Sequence, residues 1–260
     1  MTNRKRLFFD LETSMLLTWS WRTGKQYVGA HQILEHTKII SAHWSWEGSS
    51  EVHHIHWGLK KQCDKRVVKK MIELFDKSSE IIAHNGDRFD MQWIRSRAAF
   101  HGLDMNPDYK TIDTYKLAKY NLNLPAYSLK EICKYYSLPL KLDAGGVDTW
   151  KRVQFDKDKE ALNHLLYYGD GDIVSLKAVF EKLRPYVKHK THYGVLTGSS
   201  RFHCPNCGKL PHYKSMFVTA AGTVQHRLQC SDRKECRTQF KINNATYQKY
   251  FQYRLMNGIK

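Results

Sequence analysis

Apolar and polar positions along this chain follow two rhythms. Arg6-Leu7-Phe8-Phe9 is a short apolar run of the kind a buried strand shows. Ile39 to Trp46 alternates loosely, Glu47-Gly48-Ser49-Ser50 makes a turn, and Glu51 to Trp57 alternates again, which predicts a hairpin. Val67, Met71, Leu74 and Phe75 recur at helical spacing, and Ile81-Ile82-Ala83 reads as another strand. Met91 to Phe100 is helical, and Thr111-Ile112-Asp113 closes a further strand. Tyr115 to Tyr120, Ser128 to Tyr135 and Lys159 to Leu183 supply more helix, with Ser128 and Glu131 at capping-box spacing. Strands first and helices interleaved later predict an α/β fold whose mixed sheet is flanked by helices.

Composition narrows this picture. The 260 residues make one or two domains, and 42% hydrophobic with 26% charged residues suits a folded chain rather than a disordered one. No apolar run approaches the roughly 18 residues of a membrane span. Asn3 to Arg6 is basic, but only Leu7-Phe8-Phe9 follows before Asp10, too short for a signal-peptide core. A cytoplasmic location is therefore expected, with no membrane partner. A net charge of +17 favours a polyanion, and nucleic acid is the default. The charge is concentrated: residues 191–260 hold 11 Lys and Arg against Asp232 and Glu235. A boundary is expected near Arg184-Pro185. Residues 1–187 would then form the main domain, 188–200 a linker and 201–260 a small basic module.

Three acidic segments stand at element ends. Asp10-Leu11-Glu12 closes the first strand, and period two puts both acids on one face. Two such neighbours resist joint ionisation unless a cation lies between them. His84-Asn85-Gly86-Asp87-Arg88-Phe89-Asp90 lies between a strand and a helix. Asn85 and Asp90 can face a site there and Phe89 can pack or support a base, while helix capping is the plainer job for Asp87 or Asp90. In Tyr168-Gly169-Asp170-Gly171-Asp172, Tyr168 and Asp172 share a helix face at i, i+4. Each glycine inside a helix costs about 1 kcal/mol relative to Ala. Either a helix begins here, or something approaches its backbone closely, or the segment is a turn that Asp172 caps.

Taken together these segments resemble the proofreading-type 3′→5′ exonucleases of the ribonuclease H-like superfamily, named DEDD after four acids. The Asp-x-Glu motif with a following Thr is matched by Asp10 to Thr13, the Asn-x3-Phe-Asp motif by Asn85 to Asp90, and the Tyr-x3-Asp motif by Tyr168 to Asp172. The His subtype needs His-x4-Asp, but five residues after His164 stands Gly169, so the Tyr subtype, DEDDy, fits. Ile112-Asp113-Thr114 and Ser128-Leu129-Lys130 are further echoes, and the resemblance covers residues 5–187. The whole chain is similar to a bacteriophage-type group carrying a C-terminal zinc ribbon, which would place it in a host cytoplasm.

The chemistry fits such residues. Phosphodiester hydrolysis needs an activated water, in-line geometry and neutralised charge, which two divalent ions about 3.5–4 Å apart supply. Carboxylates suit two Mg²⁺ or Mn²⁺ ions. The resemblance implies that Asp10 bridges both, that Glu12 and Asp172 hold the water-activating ion, and that Asp90 holds the second. Tyr168 would orient the water, its ordinary pKa near 10 making it a poor bulk base. Thr13, the Leu11 backbone and Asn85 would meet the terminal nucleotide. Tyr167-x2-Asp170 offers a competing register, which the Tyr-x3-Asp spacing excludes.

Cys63 and Cys133 are isolated, whereas Cys204-x2-Cys207 and Cys230-x5-Cys236 are paired. Such pairs in a chain without a leader suggest metal rather than disulfides. Cys204-Pro205-Asn206-Cys207-Gly208 has the form of a zinc knuckle, and Tyr213 to Gln229, broken at Ala221-Gly222, reads as a hairpin. Four thiolates make a closed, structural Zn²⁺ site; the long second gap leaves His203 or His226 as substitutes for one cysteine. Arg201, Lys209, Lys214, Arg227, Arg233, Lys234, Arg237 and Lys241 surround it, with Tyr213, Phe217 and Phe240 interleaved. Those rings either fill a small core or stack on bases.

Other conspicuous residues read as scaffold. His53, His54 and His56 have no nearby acid or cysteine in the sequence and read as a hairpin surface. Trp19, Trp21, Trp44 and Trp46 read as sheet packing. Asp113 reads as a helix cap or a support behind the site. The function expected is a two-metal 3′→5′ exonuclease acting on single-stranded DNA ends and releasing nucleoside 5′-monophosphates, possible partners being a polymerase or a repair or replication protein. The alternatives are a non-catalytic nucleic-acid-binding or adaptor protein on a nuclease fold, and a 3′→5′ exoribonuclease.

Overall fold

A computed structural model describes residues 5–139, 145–187 and 191–259. It divides into two compact units, residues 5–181 and 182–259. In the first lie β1 (Arg6–Thr13), β2 (Leu17–Thr18), β3 (Ile33–Glu35), β4 (Ile39–Trp46), β5 (His53–His56), α1 (Lys65–Asp76), β6 (Glu80–Ala83), α2 (Asp90–His101), β7 (Thr111–Asp113), α3 (Thr114–Asn121), α4 (Leu129–Tyr135), α5 (Gly146–Lys151) and α6 (Lys159–Leu183), whose last turn enters the second unit. The second unit continues with α7 (Tyr193–Leu196), β8 (Pro211–Val218), β9 (Val224–Cys230), β10 (Gln239–Asn243) and α8 (Asn244–Met256).

The main sheet has the order β5-β4-β1-β6-β7. Strands β1, β6 and β7 run parallel, and the β4–β5 hairpin adds to β1 antiparallel. This is the mixed sheet the sequence pattern predicts. The period-two rule divides β1 cleanly. Leu7, Phe9 and Leu11 join the core built with α1 and α2, where Phe9 meets Phe75 edge-on at 4.9 Å between ring centroids. Phe8 points the other way, onto Phe180 of α6 at 5.4 Å. Asp10 and Glu12 alternate with the odd residues, so they share that second face. The sheet is thus sandwiched, and its acids lie on the side that α6 covers.

Two buried ion networks tie the layers. Arg6, wholly buried, donates to Glu80 at 2.7 Å and Glu47 at 3.2 Å. Asp64 accepts from Ile39 N at 3.0 Å and from Arg97 Nε and NH2 at 2.6 and 2.9 Å, and lies 2.6 Å from His101 Nε2. Breaking such a cluster from one side leaves a buried charge, which typically costs about 3–5 kcal/mol.

Trp44 is buried, but Trp19 and Trp21 are 50% and 87% exposed, which corrects their reading as sheet packing. They lie beside β2 and β3, a two-strand ladder only two to three residues long whose residues are at most half-buried.

In the second unit, β8, β9 and β10 form an antiparallel sheet. Phe202, Leu228, Ile242 and Tyr250 are its small core. Of the expected linker, residues 188–190 lie outside the described residues. Residues 191–200 are folded: Tyr193 N donates to Pro205 O at 2.8 Å.

Candidate active site

Three acids converge where β1 passes under α6. Asp10, Glu12 and Asp172 each offer a carboxylate oxygen, all within 4.8 Å of one another. Glu12 and Asp172 are buried and Asp10 is partly exposed. Oxygen donors of this kind fit Mg²⁺ or Mn²⁺. Three carboxylates this close in a poorly solvated place repel one another until a cation joins them.

Asp90, in the first turn of α2, is not one of these three. It is not the cap of that helix; Phe89 holds the cap position and contributes no side-chain bond. Asp90 Oδ1 instead accepts the backbone N–H of Leu11 at 3.1 Å, between the two acids of β1. Burial pushes its carboxyl up to about 7, against the lowering effect of its own and the Leu11 N–H. Leu11 therefore offers its N–H to Asp90 and its side chain to the core.

The loop before α2 is held by Asp113. Its carboxylate accepts from Asn85 N at 3.0 Å and Asp87 N at 3.4 Å, and also caps α3 through Tyr115 N and Lys116 N. It performs both of the jobs open to it in the sequence. Asn85 takes a left-handed conformation, φ 62°, which Asn tolerates better than most residues. Asp87 pairs with Lys116 at 2.7 Å. Phe89 is 40% exposed and meets Trp93 edge-on at 6.4 Å. Thr13 ends β1 at a register irregularity beside Glu12.

Helix α6 runs unbroken through both glycines. Of the three alternatives at Tyr168 to Asp172, the close approach holds. A Cβ on Gly169 would stand 2.4 Å from Nε2 of His43. Tyr168 and Asp172 then fall on the buried side of the helix, with Tyr168 edge-on to Trp150 at 6.4 Å. Asp170 points instead to His43 and His54, at 2.8 and 2.9 Å. The structure thus corrects the reading of the β5 histidines: His54 has an acid partner, supplied 116 residues downstream. His53 lies 3.6 Å from Glu51 and stacks beside Trp44, and His56 Nδ1 accepts from Gly58 N.

A cleft of about 770 Å³ opens beside the acids. Asp10, Asn85 and Asp172 line it together with Arg88, Tyr115 and Lys130. The sequence marks the segment of Lys130 only as an echo of the family, and assigns no role to Tyr115 or His84. His84, also in the lining, is fixed by Thr114 Oγ1 and Tyr127 O, both at 2.9 Å. Arg88 and Lys130 bring cations to the same cleft as the acids, from a loop and a helix that only the folded chain sets side by side.

In the second unit the four sulfurs of Cys204, Cys207, Cys230 and Cys236 each lie within 4.8 Å of the others. Gly208, φ +75°, lets Cys204 O accept Gly208 N at 2.9 Å and close the knuckle. Asn206 Nδ2 donates to Cys236 Sγ at 3.2 Å. The neighbouring sulfurs push the Cys207 and Cys230 thiols up, because a second thiolate would face the first. A divalent ion removes that conflict, and four sulfurs fit Zn²⁺. His226 Nε2 is bonded to Asn244 at 3.0 Å and its ring stacks on Tyr247 at 3.7 Å. His203 stacks on Phe202. Both substitutes are engaged elsewhere.

Residues 7–184 match the RNase_H_2 family, described as RNase_H superfamily, and the chain belongs to that superfamily. The fold is similar to that of the family B DNA polymerase from the hyperthermophilic archaeon Pyrobaculum calidifontis. The TM-score is 0.54 at 15% identity, over 70% of this chain and 25% of that one. A DNA polymerase of Methanocaldococcus jannaschii is 27% identical over 90 residues, 26% of this chain and 6% of the relative. The chain therefore spans a quarter or less of either relative. Among the described residues no helix is long and apolar enough to cross a membrane.

Proposed function

We propose that the first unit is a metal-dependent 3′→5′ exonuclease of the DEDDy type, acting on single-stranded DNA ends and releasing nucleoside 5′-monophosphates. The observation that carries this reading is the convergence of Asp10, Glu12 and Asp172 on one point beside an open cleft. Two divalent ions bound there supply charge neutralisation and an activated water. Asp10, Glu12 and Asp172 would hold those ions. Asp90 braces the strand between them through Leu11 and would hold the second ion. Tyr168 orients the attacking water from the next turn of α6, four residues from Asp172. Asn85 and Thr13 meet the terminal nucleotide, while Arg88 and Lys130 neutralise phosphates as the strand enters.

The second unit is proposed as a zinc ribbon that binds the same strand. On its sheet, Arg227 and Lys241 lie over the Phe217 ring at 5.6 and 5.1 Å. Tyr213 stands opposite Leu228 and shares the core face with Phe240, away from these cations. One face thus offers cations beside an aromatic ring, the combination that holds single strands. The similarity to DNA polymerases favours DNA and a replication or repair setting.

End-labelled single- and double-stranded DNA and RNA, each with Mg²⁺, Mn²⁺ or chelator, test the reading. Stepwise shortening from the 3′ end that requires metal and disappears in Asp10→Ala is expected. Binding without hydrolysis under every metal condition would leave the adaptor alternative in its place.

A further inference from the structure

The face of the sheet that carries the acids continues sideways as a row of histidines. Across β1 and β4, Asp10 stands opposite His43, and across β4 and β5, His43 stands opposite His54. Residues opposite one another on neighbouring strands point to the same face. Asp170, on α6, closes over the row. One ring nitrogen each of His43 and His54 and a carboxylate oxygen of Asp170 all lie within 4.8 Å of one another. His43 Nδ1 is 2.8 Å from Oδ1, and His54 Nδ1 is 3.2 and 2.9 Å from Oδ1 and Oδ2.

We infer that His43, His54 and Asp170 form a third metal site, distinct from the carboxylate centre and the cysteine cluster, selective for a borderline divalent ion such as Zn²⁺. Two imidazole nitrogens and one carboxylate are the donor set that prefers zinc and its neighbours over Mg²⁺. Donors about 2.0–2.1 Å from one tetrahedral ion stand about 3.3 Å apart, so the nitrogen–oxygen spacings need adjust only by tenths of an ångström.

The surroundings suit a ligand role. Ser41 Oγ lies 2.9 Å from His43 Nε2. With the ring proton on Nε2, His43 donates to Ser41 and turns its Nδ1 lone pair toward the ion, the outer-shell arrangement that fixes a ligating histidine. The His43 ring is fully buried, and the missing Cβ of Gly169 makes room for it. His54 is 39% and Asp170 27% exposed, which leaves an entry path from solvent. Such an ion would tie α6 to β4 and β5 two residues from Asp172, and so fix the helix that carries Tyr168. The bare Asp–His hydrogen-bond cluster is the competing description, and zinc content separates the two.

The full chain, with the carboxylate centre saturated by millimolar Mg²⁺, is dialysed against micromolar Zn²⁺, and bound zinc is measured by mass spectrometry. The wild type is expected to hold one zinc more than His54→Ala and one more than the shape-conserving His54→Gln. His53→Ala should keep the wild-type content. Zn²⁺ should also raise the melting temperature of the wild type more than that of His54→Gln. Equal zinc in wild type and both His54 variants overturns the inference, as does an equal loss in His53→Ala. Because the readout is bound zinc rather than hydrolysis, failure here leaves the exonuclease reading standing, and failure of that reading leaves this site intact.

Discussion

Asp90 reaches across 79 residues of sequence to accept the backbone N–H of Leu11. That bond fixes the strand segment between Asp10 and Glu12 from the side of α2. Asp90→Asn keeps an oxygen for Leu11 but loses the charge, whereas Asp90→Ala loses both. If Asp90 serves a cation, Asn should lower metal-dependent hydrolysis nearly as far as Ala, by about a hundredfold or more, roughly 3 kcal/mol of barrier. If it only braces β1, Asn should retain activity and Ala should mainly lose stability. Hydrolysis rates at several Mg²⁺ concentrations, with melting temperatures of both variants, distinguish the roles.

The helix face decides the register of the last motif. Asp172 lies with Asp10 and Glu12, and Asp170 with the two histidines. Asp172→Asn is expected to abolish hydrolysis, a loss of at least about a thousandfold, or about 4 kcal/mol. Asp170→Asn still offers an oxygen to His43 and should cost far less. Single-turnover rates on a labelled oligonucleotide compare them; a larger loss in Asp170→Asn would reverse the assignment.

The contrast between Asp172 and Asp170 also shows what was legible beforehand. Periodicity marked β1, β4, β6 and helices α1, α2, α3, α4 and α6, but not α5, α7 or α8. The strand period put Asp10 and Glu12 on one face, the resemblance to the exonuclease motifs singled out Asp172, and the three do lie together. His54 was illegible, because its partner is joined to it only by the fold. Ser128 illustrates the middle ground: the capping-box spacing was visible, and Ser128 Oγ does accept Glu131 N at 3.4 Å. Gly169 was read as a cost to the helix, and its reason, the His43 ring, lies on another strand.

Asp64 links acid stability to the packing of α1 against β4 and α2. Burial would raise its pKa, but Arg97 first, then His101 and the Ile39 N–H, hold the carboxyl below its ordinary value. A depressed folded pKa means that the contribution to stability is complete above the unfolded value, near 3.9, and is lost as pH falls through the folded value. Asp64→Asn should destabilise the protein by about 3–5 kcal/mol at neutral pH, because Arg97 then loses its buried counter-ion. The gap to wild type should narrow below pH 4. Denaturant midpoints at pH 7, 4 and 3 measure it, and a gap that widens with acid would contradict the sign.

The cysteine cluster ties metal to the folding of the second unit. Its core is small, so zinc would supply much of its stability. Cys204→Ser is expected to remove one zinc and to expose residues 191–259 to protease, while residues 5–181 keep their melting transition. Separately, Arg227→Ala with Lys241→Ala should lower the slope of log affinity against log salt by about 0.7 for each phosphate that the variant no longer neutralises. An unchanged slope would confine the ribbon to a structural part.

Gly169 and His43 offer the sharpest test of how α6 is seated. Replacing a mid-helix glycine by alanine ordinarily stabilises by about 1 kcal/mol. Here the new Cβ would meet the buried His43 ring at 2.4 Å from Nε2 and 2.6 Å from both Cδ2 and Cε1. Overpacking of that kind costs about 1–3 kcal/mol and is relieved by moving the helix. Gly169→Ala should therefore be less stable than wild type, and it should slow hydrolysis, because Tyr168 and Asp172 travel with the helix. His43→Ala removes the obstacle. In the double variant the alanine at 169 should regain its helix preference, so the two substitutions couple by more than about 1 kcal/mol. Urea denaturation of the four proteins closes the cycle; additive effects would mean that the glycine serves some need other than room for the imidazole.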